Sequence, residues 1–125
     1  MRKLAYLGSI IFAFAMMLST SFAAEVVKSG VIKGQSVKWT TGSVKILKEG
    51  TKHQLKLGSN FKTKKGPALF VYLGNDKPEK KVGRLKSISG AQTYDISKRI
   101  DVNKYSRVFI YCVPFNAVFG VGRIN

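Results

Sequence analysis

The sequence predicts an all-β chain, a small antiparallel β-sandwich of immunoglobulin-like or jelly-roll-like type, preceded by a signal peptide. Three observations lead there. Apolar residues alternate with lysines in short runs, turn-forming residues recur between the runs, and no stretch after the leader keeps a helical period. In Val37-Lys38-Trp39, Val44-Lys45-Ile46 and Leu55-Lys56-Leu57 the alternation puts one face in a core and the other in water. Turns are expected at Thr41-Gly42, Glu49-Gly50, Gly58-Ser59-Asn60, Lys65-Gly66-Pro67, Gly74-Asn75-Asp76 and Ser89-Gly90. Short strands at such spacing suit a sandwich or a barrel. Ala68 to Leu73 and Arg107 to Val113 are near-continuous apolar runs, expected as central strands covered on both faces, and Val118 to Ile124 is expected as the last strand. Any helix should be a turn or two long.

The first residues have the form of an export signal. Arg2 and Lys3 give a positive start, Leu4 to Leu18 is apolar apart from Gly8 and Ser9, and Ser21-Phe22-Ala23 supplies small residues at a cleavable spacing. The apolar stretch falls short of the roughly 20 residues that a spanning helix needs. Residues 1–23 are therefore expected as a cleaved secretory signal and residues 24–125 as one domain, periplasmic or secreted. No cysteine stands near the cleavage site to accept a lipid.

Charge is the strongest compositional signal. Without Arg2 and Lys3 the chain keeps 20 Lys+Arg against 6 Asp+Glu, a net charge of +14. Ten lysines lie between Lys28 and Lys65, with Glu49 as the only acid. Such a surface attracts anionic envelope polymers, lipid headgroups, nucleic acid or an acidic protein, and carries no information about fold. Lys38, Lys45 and Lys56, on the solvent side of three alternating runs, are the candidate basic face. Export argues against a physiological nucleic-acid partner, membrane contact should be peripheral at most, and a monomer is expected.

Cys112 is the single cysteine, so it cannot close an intrachain disulfide. It is either buried and inert, paired with another molecule, or kept reactive. A reactive role requires an exposed sulfur in a positive field, which stabilises the thiolate. Lys104 and Arg107 lie just upstream to supply such a field, but no histidine or second cysteine is adjacent to act as base or resolving thiol. A strand position in an apolar run suits a small buried hydrophobe equally well.

Other chemistries lack their residues. The three methionines all fall in the leader and His53 is the only histidine, so blue-copper, zinc and two-ligand haem sites cannot be assembled by this chain alone. No intrinsic cofactor or metal is expected, and any haem would sit on a partner. Nucleophile elbows and phosphate loops are missing too, which argues against a stand-alone enzyme. His53, beside Gly50-Thr51-Lys52, is expected as a solvated hairpin residue. Trp39, Phe61, Phe70, Tyr72, Tyr94, Phe109, Tyr111, Phe115 and Phe119 are expected mostly as core, the alternative being a stacking platform beside lysines.

Ordered blocks carry a family resemblance. They are Gly30-Val31-Ile32, Thr41-Gly42-Ser43-Val44, Leu57 to Phe61, Gly66-Pro67-Ala68-Leu69-Phe70-Val71-Tyr72-Leu73, Gly90-Ala91-Gln92-Thr93-Tyr94-Asp95-Ile96 and, most specific, Val108 to Gly120. Together they resemble the electron-transfer DM-thirteen domain, a β-rich module found alone in secreted bacterial proteins and beside cytochrome-type modules elsewhere. The resemblance implies a β-sandwich-like fold and a redox role centred on the cysteine that matches Cys112. Two departures stand out: Ala68 where the family is commonly acidic, and Gly122 where it usually has alanine. No cytochrome module accompanies the domain, so an electron would come from another molecule. Two expectations follow. One is a redox accessory module in which Cys112 exchanges between thiol, sulfenate and mixed disulfide with an external redox partner. The other is a non-enzymatic basic domain that binds anionic envelope polymers or an acidic protein, with Cys112 as packing.

Overall fold

The computed structural model describes residues 24–34 and 39–125, so the leader expected over residues 1–23, together with Val37 and Lys38, lies outside the described residues. Nine strands follow one another: β1 (Glu25–Lys33), β2 (Thr40–Glu49), β3 (Lys52–Leu57), β4 (Lys62–Thr63), β5 (Leu69–Gly74), β6 (Pro78–Arg84), β7 (Gln92–Ile96), β8 (Arg107–Cys112) and β9 (Ala117–Arg123). The helical content described is one 3-10 turn, Val102–Lys104, capped by the Asp101 side chain. Every ladder is antiparallel, and the strands form a single sheet in the order β6-β5-β8-β9-β1-β2-β3-β7, with β4 paired to β2. The all-β antiparallel expectation holds. The two faces that a sandwich packs together belong here to one sheet that curls until it nearly closes as a barrel.

Alternation sets the register. In β2, Val44 and Ile46 point inward and are fully buried while Lys45 is exposed; in β3, Leu55 and Leu57 flank exposed Lys56 in the same way. A one-residue slip would turn each set inside out. The interior is filled by Ile32, Val44, Ile46, Leu55, Leu57, Phe61, Val71, Leu73, Val108 and Ile110, all at 1 % exposure or less, with Leu69, Tyr94 and Phe119 close behind. The apolar runs expected as central strands are β5 and β8, neighbours inside the path.

Three features differ from the sequence reading. Gly42 is not in a turn; it lies within β2 opposite Ile32, at φ +134°. An added Cβ there would stand 2.5 Å from the Phe61 Cα, so the glycine admits a close backbone approach. β1 and β6 were not marked by alternation. β1 carries a register irregularity between Val26 and Lys28, and β6 is an end strand of the path with exposed Glu79, Lys80, Lys81 and Arg84, a composition that blunts an edge. The aromatic set divides: Phe61, Tyr94, Phe109 and Phe119 are buried, whereas Phe70, Tyr72 and Tyr111 line the outer side of β5 and β8, and Phe115 is 67 % exposed.

Two joints turn the strip into a barrel. At β9 against β1 the registered contacts are Lys33 with Val121 and the bridge Gly30 with Ile124, backed by a reciprocal pair of bonds between Ser29 and Asn125. Glycines make this approach possible. A Cβ on Gly122 would lie 2.6 Å from the Val31 carbonyl oxygen, and one on Gly30 would collide with the carbonyl of Arg123. Above the joint, buried Thr40 donates to the Phe119 carbonyl at 2.8 Å, so the 2.7 Å bond between Thr40 and Thr63 takes its proton from Thr63. The other joint lies between the end strands β6 and β7, where side chains replace the ladder. The Tyr94 hydroxyl accepts the N–H of Lys86, two residues past β6, at 2.8 Å and donates to the Gln92 side-chain amide oxygen, while the Lys86 ammonium bonds the Thr93 carbonyl.

Crowding thus requires a glycine at position 122. Gly122→Ala should destabilise by about 1–3 kcal/mol from overpacking, against at most about 1 kcal/mol gained by stiffening the unfolded chain, read as a lower urea midpoint. A second test concerns pH. Burial pushes the Tyr94 hydroxyl above its ordinary 10.0, with the Lys86 N–H bond opposing more weakly. Above that value the unfolded chain loses a proton that the folded chain retains, so the stability from this group is complete below pH 10 and falls as pH rises toward the folded value. Tyr94→Phe removes that dependence. The stability gap between wild type and variant should narrow between about pH 9 and 11.

Candidate functional site

Cys112 ends β8, opposite Leu69 of β5 and Ala117 of β9. Its exposure is 0 %, and it belongs to the apolar interior with Leu69, Ile110 and Phe119. The exposed sulfur in a positive field that a reactive thiol requires is therefore not the resting arrangement. Alternation explains why. Val108, Ile110 and Cys112 share the inward parity of β8, and Arg107, the nearest cation in the strand, has the outward one. The four residues after Cys112 form an exposed turn, Val113 to Asn116, closed by the Asn116 N–H on the Val113 carbonyl at 3.1 Å and tied to the neighbouring loop by the Val113 N–H on the Ala68 carbonyl at 3.2 Å. Ala68 thus contributes its backbone to this turn.

Lys45 and Lys56 face each other directly across β2 and β3, both exposed. Like charges placed so repel and weaken the ladder. They border a shallow groove of about 330 Å³ whose lining also includes Ser43, Leu47 and Ser59 and contains no acid. Asp95, two residues along the β3–β7 ladder from the residue opposite Lys56 and on the same face, is engaged by the Gln54 amide at 2.9 Å. Lys28 has an internal role: its ammonium bonds the carbonyls of Val102 and Tyr105 at 2.9 and 2.8 Å, fastening β1 to the 3-10 turn.

His53 sits in β3 opposite Lys48 and Ile96, half-buried, on an open groove of about 870 Å³ with Glu49, Lys52, Asp95 and Lys98. The registers put this groove at the far end of the barrel from Cys112. Among the described residues no three His, Cys, Asp or Glu side chains gather as a metal site would need.

The outer side of β5 and β8 was not singled out as a surface in the sequence. Tyr72 and Tyr111 meet edge to face at 5.3 Å, and the Lys81 ammonium and Arg84 guanidinium stand 4.9 and 5.7 Å from the Phe70 ring centroid. Period-2 parity could have marked it, since Phe70, Tyr72, Phe109 and Tyr111 share one parity of two apolar runs. Near-continuous apolarity concealed the distinction.

Fold and surface together define a small basic β-barrel module with its only thiol stored inside. The model of the family described as electron transfer DM13 matches residues 32–124, from the end of β1 to the residue after β9. The chain belongs to the DM13 electron-transfer family. Neither the curated proteins nor the solved structures contain a significant match to it.

Buried sulfur makes a sharp prediction. Cys112→Ala should cost about 1 kcal/mol for a lost methyl-sized group, whereas the closer isostere Cys112→Ser should cost about 1–3 kcal/mol by burying an unpartnered hydroxyl. Urea midpoints in which serine is the more stable of the two would contradict the placement of the thiol.

Proposed function

We propose that this chain is an exported, non-enzymatic accessory module of an electron-transfer system, one that docks an acidic redox partner through the face bearing Lys45 and Lys56. Membership in the electron-transfer family supports the setting. The observation that carries the docking role is the directly opposed lysine pair, exposed and without an acid in its groove. The pair is repulsive on its own, and a bound carboxylate offsets the repulsion. Any haem or other redox centre belongs to the partner.

A second reading keeps Cys112 as the redox thiol and is favoured by one observation, its position directly before the exposed turn. Local opening of that turn would carry the sulfur to solvent. The thiolate then attacks a disulfide on the partner, forming a mixed disulfide and releasing the partner's other sulfur as thiolate. Native alkylation separates the two. Labelling that proceeds only at the rate of global unfolding leaves Cys112 as packing, and faster labelling favours the thiol.

For the docking face the probe is poly-L-glutamate, with affinity followed from low to physiological salt, where screening shortens to about 8 Å. Lys45→Glu/Lys56→Glu should weaken binding by about tenfold or more. A charge-matched control, Lys98→Glu/Arg99→Glu, should weaken it less. Equal losses would assign the binding to net charge and remove this face from the proposal.

A further inference from the structure

Cations stand at both ends of the barrel, but the acids are confined to one. The registers place Leu69, Arg84, Gln92, Cys112, Ala117 and Thr40 at one end and Gly74, Pro78, Ile96, Arg107 and Glu49 at the other. All six acids, Glu25, Glu49, Asp76, Glu79, Asp95 and Asp101, fall toward the second end. Three of them are held by hydrogen bonds there: Glu79 by the Asn75 N–H, Asp95 by Gln54 and Asp101 by the Asn103 N–H. The first end carries cations only, with exposed Lys62, Lys64, Lys65, Arg84 and Lys86 among them.

The same cationic end carries the most exposed aromatic side chain described. Phe115 is 67 % exposed and Val113 42 %, on either side of Pro114 at the tip of the β8–β9 turn. The tip is a built feature. Its two backbone bonds are those given above, Asn116 adopts φ +48°, and the Asn116 side chain accepts the Tyr111 hydroxyl. Behind the tip stand Tyr111 and, opposite it, Phe70 under Lys81 and Arg84, with Tyr72 farther back against Tyr111. Beside it, the loop that Ala68 ties to the turn bears Lys64 and Lys65.

We propose that this end of the barrel docks on an anionic phospholipid bilayer, with Val113 and Phe115 entering the interface and Lys64, Lys65 and Arg84 lying over the headgroups. An apolar tip ringed by cations meets both requirements of interfacial binding, burial of apolar area and attraction to anionic lipid. Tyr111, whose hydroxyl bonds Asn116 in the tip, suits the headgroup level, where a ring with one polar end is favoured. The acids at the second end offset part of the positive charge there, so an anionic plane draws the acid-free end more strongly. A soluble anionic polymer offers the lysines the same charge but gives Phe115 no apolar phase, which is why the bilayer is the better occupant. This site is separate from the Lys45 and Lys56 face, and neither proposal depends on the other.

The test is co-sedimentation of the protein with vesicles of phosphatidylglycerol and phosphatidylcholine, against phosphatidylcholine alone, at physiological salt. Partition to the anionic vesicles is expected, falling about tenfold or more in Phe115→Ala and in Lys64→Glu/Lys65→Glu. It should stay within about twofold in Lys45→Glu/Lys56→Glu. Phe115 is largely exposed, so its truncation leaves folding intact, and a thermal melt of each variant checks this. Phe115→Trp in a Trp39→Phe background should shift its emission to the blue and be quenched by lipids brominated in the acyl chain. No partition above the phosphatidylcholine control overturns the proposal. So does salt-sensitive partition that Phe115→Ala leaves unchanged, which would mark adsorption by net charge alone.

Discussion

Two halves of this sheet, β6-β5-β8-β9 and β1-β2-β3-β7, meet where β1 lies against β9, and that meeting depends on backbone approaching backbone without intervening side chains. Gly30 and Gly122 supply the clearance. Once the strands are that close, Thr40 can reach the Phe119 carbonyl and Thr63, so the first strands, the short β4 and the last strand become one unit. Leaving those hydroxyls buried and unpaired would be costly, which makes the polar contact as much a constraint on register as the apolar packing around it. Beside the remaining edges, β6 and β7, Lys86 just past β6 bonds Tyr94 and Thr93 of β7.

Closure decides what is inside. A flat strip would offer solvent access to both of its faces at the edges, whereas a curled one seals the inward parity of every strand. Cys112 has that parity, and so do Val108 and Ile110. Lys45, Lys56 and Arg107 have the other, and so do the rings of Phe70, Tyr72 and Tyr111. A domain of this size has little interior to spare, and a thiol packs there without requiring a hydrogen-bond partner. The basic surface is a consequence of the same division. Lysines alternate with core residues in β2 and β3, so core and charge are two sides of the same segments.

Much of the fold was legible from the chain. Glu49-Gly50, Gly58-Ser59-Asn60, Gly74-Asn75-Asp76 and Ser89-Gly90 do separate strands, and the period-2 runs do point their apolar members inward. Thr41-Gly42 misleads because a glycine needed for clearance against Phe61 has the same spelling as a glycine needed for a turn. β1 and β6 escape because irregular register and edge exposure erase the alternation on which the reading depends. For the site, residue identity narrowed the candidates to one thiol and a set of lysines. Identity could not distinguish a sealed cysteine from an exposed one, since both occur in apolar strands.

By itself, then, the sequence determined the all-β class, the principal turns, the family and a strongly positive charge, because each of these is written in local spacing or in composition. Only the tertiary structure decided that the sheet closes on itself, that Cys112 faces inward, and that Phe115 stands at one end while the acids gather at the other. Those outcomes rest on contacts between residues far apart in the chain, such as Gly122 with Val31 or Thr40 with Phe119. No local pattern encodes them.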